Sequence, residues 1–225
     1  GTQVVPEGTP TEGSVPLFPP GHHVRWPIRT TLTFDSGGRV ESLKHYIALP
    51  LEAPQALPNL LGLSESVLHL ASTARGSRMV QAGLQAATHE VQAAFLERLR
   101  GHVWEVSASP HGNHVLQKCV EVVPPAQIGF IVDEFRGRAL FAAQHNTRSR
   151  ILERLLEHCP IEQTAPLVDE LLGSVGALAH HPLGNFVLQR LLEHGSDEYR
   201  HRVALEMLPD VCSWARHAQA SNVVR

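Results

Sequence analysis

Ser77 and Gln81, Asn113 and Gln117, Ser149 and Glu153, Asn185 and Gln189, and Ser221 and Arg225 form five polar pairs. The members of each pair are four residues apart, and successive pairs are 36 residues apart without an insertion. Such side chains combine hydrogen-bond donors with acceptors, so each pair can match the polar edge of a planar ligand. Each pair brackets a pentad: Ser77-Arg78-Met79-Val80-Gln81, Asn113-His114-Val115-Leu116-Gln117, Ser149-Arg150-Ile151-Leu152-Glu153, Asn185-Phe186-Val187-Leu188-Gln189 and Ser221-Asn222-Val223-Val224-Arg225. In a helix the first and fifth residues share a face, one turn apart, while the apolar third and fourth turn inward. The second residues, Arg78, His114, Arg150, Phe186 and Asn222, are mostly flat, and flat groups stack on unpaired nucleobases. For one pentad alone, a polar face that merely meets water is the simpler reading. Five at constant spacing reverse it.

Other chemistry has little support. The 15 histidines include the adjacent pairs His22-His23 and His180-His181, which do not share a helix face, and no HExxH or Cys/His ligand spacing occurs. There is no Walker loop, no GxGxxG after a strand and no GxSxG. His145, His181 and His217 recur at the same period just before their pentads and read as capping or packing residues. No catalytic residue, metal ligand or cofactor is expected. Cys119, Cys159 and Cys212 are odd in number and far apart, which argues against a disulfide framework and fits a reducing compartment. Cys119 and Cys159 read as small core residues. The formal net charge of −3 argues against a surface that grips nucleic acid by charge alone. No apolar run is long enough to span a bilayer, and no signal peptide opens the chain.

The elements that must position the pairs follow from the same period. From about residue 62 each repeat parses into three short helices. The first carries Val67-Leu68-Leu70, then Val103-Trp104-Val106; the second runs through the pentad; the third carries Phe95-Leu96-Leu99, Ile128-Ile131-Val132-Phe135 and Leu167-Val168-Leu171-Leu172. The period keeps Val80, Leu116, Leu152, Leu188 and Val224 equivalent, and likewise Phe95, Ile131, Leu167 and Val203. No single repeat can bury both faces, so neighbours must stack around one continuous core. Gly76, Gly112 and Gly184 precede three pentads, where a tight turn suits a small residue; Arg148 and Ala220 stand at the other two. Residues 1–61 are proline-rich, lack this period and read as a mostly disordered or irregular segment. Within them, Thr31–Phe34 and Arg39–Ser42 flank Asp35-Ser36-Gly37-Gly38 and could close a small hairpin.

The segments Gly112-Asn113-His114-Val115-Leu116-Gln117-Lys118-Cys119 and Gly184-Asn185-Phe186-Val187-Leu188-Gln189 resemble repeats of the Pumilio (PUF) family of RNA-binding proteins. The resemblance covers residues 62–225 and implies an all-α, right-handed α-solenoid that binds single-stranded RNA at one base per repeat. It further implies an mRNA 3′ untranslated region as ligand, translation-repression or deadenylation factors as partners, and a cytoplasmic role in post-transcriptional control.

In the family Ser with Gln reads adenine, Asn with Gln uracil and Ser with Glu guanine, and Ser with Arg is associated with cytosine. The RNA runs antiparallel to the protein, so the five pentads imply 5′-(C)UGUA-3′. The flanks suggest a register of their own. Leu155–Cys159 followed by Glu162-Gln163-Thr164 resembles the family's fifth repeat, Leu191–Gly195 the sixth and Ala220–Val224 the seventh. In that register Gln is usual where Glu153 stands and Glu where Arg225 stands, so both positions change the implied base. Four repeats and half of a fifth, against the family's usual eight, point to a partial array. The competing expectation is an armadillo- or HEAT-like solenoid that binds a peptide, which has no need of a polar pair in every repeat. A basic PUF-like protein that binds structured RNA without sequence preference fits this acidic chain less well.

Overall fold

The computed structural model describes residues 28–34, 40–47 and 66–224. The chain divides into two compact units, Gly1–Pro50 and Leu51–Arg225. In the first, β1 (Ile28–Phe34) and β2 (Val40–Ile47) pair antiparallel. The expected hairpin strands are present and longer than their sequence cores. Register is regular from Ile28↔Ile47 to Thr33↔Ser42 and then slips, so that Phe34 faces Val40. The turn expected at 35–38 and the remainder of 1–61 lie outside the described residues.

The second unit is helical among its described residues. Repeat one holds α1 (Ser66–Ala71), α2 (Ala74–Ala86) and α3 (His89–Leu99). Repeat two holds α4 (Val103–Val106), α5 (Gly112–Val122) and α6 (Gly129–Phe135). Repeat three holds α7 (Ala139–Ala143), α8 (Arg148–His158) and α9 (Ile161–Leu172). Repeat four holds α10 (Val175–His180), α11 (Gly184–His194) and α12 (Asp197–Met207). The fifth begins with α13 (Val211–Arg216) and α14 (Ser221–Val224). The second helices pack in one row, α2 on α5, α5 on α8, α8 on α11 and α11 on α14. The third helices α6, α9 and α12 form a parallel row.

The shared core follows the period of the sequence. Val80, Leu116, Leu152 and Leu188 are fully buried, as are Phe95, Ile131, Leu167 and Val203 in the third helices. Cys119 and Cys159 are buried free thiols; burial pushes Cys119 up to about 12 and Cys159 up to about 11. Neither is a nucleophile at neutral pH. Repeats two and three are also closed by carboxylates on their third helices. Glu134 accepts from the Gly101 and Trp104 N–H groups at 2.7 and 3.3 Å, and Glu170 accepts from Gly137 and Ala139. Gly101 and Gly137 take φ of 77° and 71° there, a conformation that favours glycine.

One position caps every second helix. Thr73 Oγ1 accepts from Gly76 N–H at 3.2 Å, and Ser109 Oγ accepts from Gly112 at 3.0 Å. At the equivalent position His145 Nδ1 accepts from Thr147, His181 Nδ1 from Leu183 and Gly184, and His217 Nδ1 from Gln219 and Ala220, at 3.1–3.3 Å. The histidines thus satisfy the free N–H groups of a helix start, as their spacing suggested. An imidazole accepts through Nδ1 only when that nitrogen carries no proton. For His145, burial and then the Arg148 charge hold the pKa below the ordinary histidine value. Its stabilisation is therefore present above the unfolded pKa and is lost as pH falls through the lower folded one. The thermal midpoint is expected to fall between pH 7 and pH 5, with the His145 cap worth about 0.5–2 kcal/mol. Replacing His145 with Ser should flatten that profile in calorimetry. An equally steep profile in the variant would contradict the capping role of His145.

The pre-pentad glycines sit against the first helix. A Cβ on Gly112 would lie 2.7 Å from the Val106 carbonyl oxygen, and one on Gly184 would lie 2.8 Å from Leu178 Cδ2. Repeat three places Arg148 there, and the residue equivalent to Val106 and Leu178 is Ala142. The buried Arg148 side chain reaches back to repeat two. Its Nε donates to Ser107 Oγ and its Nη2 to the Trp104 carbonyl, both at 3.0 Å, and its Cζ lies 4.0 Å from the Trp104 ring centroid. Thr147 Oγ1 donates to the Ser107 carbonyl at 2.7 Å. Arg148, which departs from the small-residue pattern, and its neighbour Thr147 thereby staple repeat three to the end of α4.

Candidate nucleic-acid interface

The row of second helices brings four of the five pentads side by side in the described residues. The outcome differs in detail from the sequence reading, which places both polar residues of each pair outward. Ser77, Asn113, Ser149 and Asn185 are buried, while Gln81, Gln117, Glu153 and Gln189 are half-buried and Arg78, His114, Arg150 and Phe186 are exposed. The first residue meets the neighbouring turn: Ser77 Oγ donates to the His111 carbonyl at 2.8 Å, and Asn113 and Asn185 Nδ2 donate to the Ser109 and His181 carbonyls at 2.8 Å. A small polar residue so close to the backbone of the turn can hardly be replaced by a longer one.

The buried residue in turn holds its partner. Gln81 Nε2 donates to Ser77 Oγ at 3.0 Å, Gln117 Nε2 to Asn113 Oδ1 at 2.9 Å and Gln189 Nε2 to Asn185 Oδ1 at 3.0 Å. Gln81 and Gln189 Nε2 also donate to the Ser77 and Asn185 carbonyls at 3.2 and 3.4 Å, so each glutamine amide is oriented with its Oε1 left to meet a ligand. Repeat three breaks this pattern. Glu153 has no N–H to give, and the buried Ser149 Oγ has no partner. The Glu153 carboxylate instead receives Arg150 Nη1 at 3.2 and 3.3 Å. Burial raises its pKa, and Arg150, Arg190 and Arg154 oppose that rise.

In repeat five Ser221 Oγ donates to the Ala218 carbonyl at 3.3 Å, and Asn222 Nδ2 donates across to Asn185 Oδ1 at 3.3 Å. Arg225 lies outside the described residues. Sequence reasoning read His145, His181 and His217 as capping or packing residues but missed Thr73 and Ser109, which stand at the same 36-residue spacing. It also missed the staple made by Thr147 and Arg148, for which a lone departure from glycine gives no partner to look for. Among the described residues no group of three or more His, Cys, Asp or Glu is placed to hold a metal ion, and no helix is long and apolar enough to cross a membrane.

Residues 102–135, 149–172 and 174–208 match the Pumilio-family RNA binding repeat. Residues 102–208 thus carry Pumilio repeats. The chain superposes on the crystal structure of PUF-8 in complex with PBE-RNA with a TM-score of 0.72 and 27% identity, covering 76% of this chain and 51% of that one. For the Puf4 RNA binding domain bound to an HO endonuclease RNA 3′ UTR recognition sequence the TM-score is 0.69 at 27% identity, covering 77% and 56%. The RNA-binding domain of yeast Puf5p bound to SMX2 RNA shares the fold, with a TM-score of 0.66 at 15% identity, covering 77% and 50%. The chain therefore spans about half the length of these domains. No curated protein matches it by sequence. The fold is the expected α-solenoid of three-helix Pumilio repeats, and α1–α3 and α13–α14 continue the same helix pattern beyond the matched residues.

Proposed function

We propose that the Pumilio array binds single-stranded RNA sequence-specifically, one base per repeat, along the row of second helices. The observation that carries this is the repeated unit of an exposed flat or cationic side chain beside a half-buried, hydrogen-bond-oriented Gln or Glu. The exposed residue meets the plane of a base and the oriented one its edge. Residues 62–225 form the RNA-binding domain, and residues 1–61 are a separate segment. The fifth residues make the edge contacts, the buried first residues aim them, and Arg78, His114, Arg150, Phe186 and Asn222 stack. Glu153 accepts the N1–H and N2–H of guanine, and the glutamines match edges that carry both a donor and an acceptor. Repeats one to five then read 5′-(C)UGUA-3′.

Stacking contributes about 1–3 kcal/mol per base, so a few bases support micromolar binding without a basic surface. The ligand proposed is an mRNA 3′ untranslated region, bound in the cytoplasm to recruit repression or decay factors, with no catalytic step by this chain. Selection from a randomised RNA pool with the full chain tests this. Enrichment of a UGUA core is expected. A pool that gains no consensus would contradict base reading and favour a peptide-binding solenoid.

A further inference from the structure

Arg150 makes two contacts at once in the free array. Its Nη1 faces both Glu153 carboxylate oxygens, and its Cζ lies 5.7 Å from the Phe186 ring centroid in the next pentad. The space between two successive flat residues is where a base would stack. Arg150 is one wall of that space, and its guanidinium turns an N–H toward the carboxylate while lying near the aromatic ring of the other wall, Phe186. The Watson–Crick edge of guanine offers the same chemistry, paired N–H donors on a planar carbon–nitrogen frame. Nothing else in the pentad holds the carboxylate, since Ser149 Oγ makes no hydrogen bond.

We propose that Arg150 is the specificity-determining residue of repeat three, an internal surrogate for the guanine edge that only a base with matching paired donors replaces without loss. The proposal rests on the RNA-reading function above. Any base that enters must take Arg150 from Glu153. Guanine returns two N–H donors to the same carboxylate. Adenine and cytosine bring a ring-nitrogen lone pair, and uracil brings one N–H between two carbonyls, so each leaves the half-buried carboxylate worse satisfied than before. The displaced guanidinium can then stack on the incoming base.

The pair also opposes the rise that burial imposes on the Glu153 pKa. The charged groups facing this carboxylate are Arg150 and Arg154 from α8 and Arg190 from α11. Arg154 is engaged with Glu157 at 2.6 Å and Glu121 at 3.5 Å, and Arg190 with Glu193 at 2.6 Å, so the direct contact falls to Arg150. A protonated Glu153 would donate to adenine N1, and the ion pair guards against that error.

The test is a competition anisotropy assay of the full chain with short RNAs carrying 5′-CUGUA-3′ or 5′-CUAUA-3′, from pH 5 to 8. Wild type, Arg150→Ala and Arg150→Lys are compared, together with a carboxyl-carbon NMR titration of Glu153 without RNA. At neutral pH, Arg150→Ala is expected to lose about tenfold of the preference for guanine. It should also abandon that preference at a higher pH than wild type, with Arg150→Lys between them. In the free chain Glu153 should titrate higher in Arg150→Ala. Superimposable preference profiles for wild type and Arg150→Ala would overturn the role of Arg150 while RNA reading stands. Failure of all three chains to bind RNA would overturn the RNA reading, and this proposal with it.

Discussion

Replacing Glu153 with Gln is expected to turn the third repeat from guanine to adenine. The structure supplies what the new side chain needs. Ser149 Oγ is buried without a partner, and in repeat one the equivalent Ser77 Oγ accepts from Gln81 Nε2 at 3.0 Å. The introduced amide would repeat that bond and adopt the orientation of Gln81, the glutamine assigned to adenine. The loss for guanine is about 1–3 kcal/mol, roughly ten- to a hundredfold, because its two donors would meet an amide that accepts through one oxygen. Stability should not suffer. Burial raises the Glu153 pKa despite three arginines, so ionising this carboxyl costs the folded array stability. Glu153 thus adds stability only below its unfolded pKa, and that contribution is lost as pH rises through the higher folded value. A neutral amide avoids the loss at pH 7, and calorimetry should show no drop in the thermal midpoint. Unchanged base preference in competition binding would remove Glu153 from the reading surface.

Replacing Arg148 with Ala should weaken the array most. The change removes two hydrogen bonds from a charged donor and a cation–ring contact, all inside the junction of repeats two and three. It leaves the Trp104 carbonyl and the fully buried Ser107 hydroxyl each one donor short. The expected loss is about 2–4 kcal/mol. In a solenoid each repeat leans on its neighbours, so a weakened junction uncouples the two sides. Urea unfolding followed by two probes, Trp104 fluorescence and helical circular dichroism, should lose coincidence in the variant. Arg148→Lys keeps the charge without the planar fork and should fall between. Coincident transitions at the wild-type midpoint would show that the staple carries no stability.

Most of the fold was legible because a solenoid writes its geometry as a period. The register that equates Val80 with Leu116, Leu152 and Leu188 reappears as one fully buried row. The paired strands were legible from the turn residues between them, though their length was not, since Ile28 and Ile47 pair beyond the segments that the turn suggested. The pentads correctly located the second helices, but helical spacing alone could not show that Ser77, Asn113, Ser149 and Asn185 are buried. That burial depends on how closely consecutive repeats pack, which is a property of the stack. Arg148 was illegible for the same reason: its partners Ser107 and Trp104 lie 41 and 44 residues upstream, in another repeat.

The most direct test of base reading by the array is fluorescence anisotropy of the full chain with a short labelled RNA containing 5′-CUGUA-3′, set against the same RNA with the G changed to A. Binding to the first that weakens about tenfold or more with the single change is the predicted result. Equal affinity for the two RNAs, or preference for the A-containing one, would contradict guanine reading by Glu153. No binding to either by a folded sample would contradict RNA reading altogether.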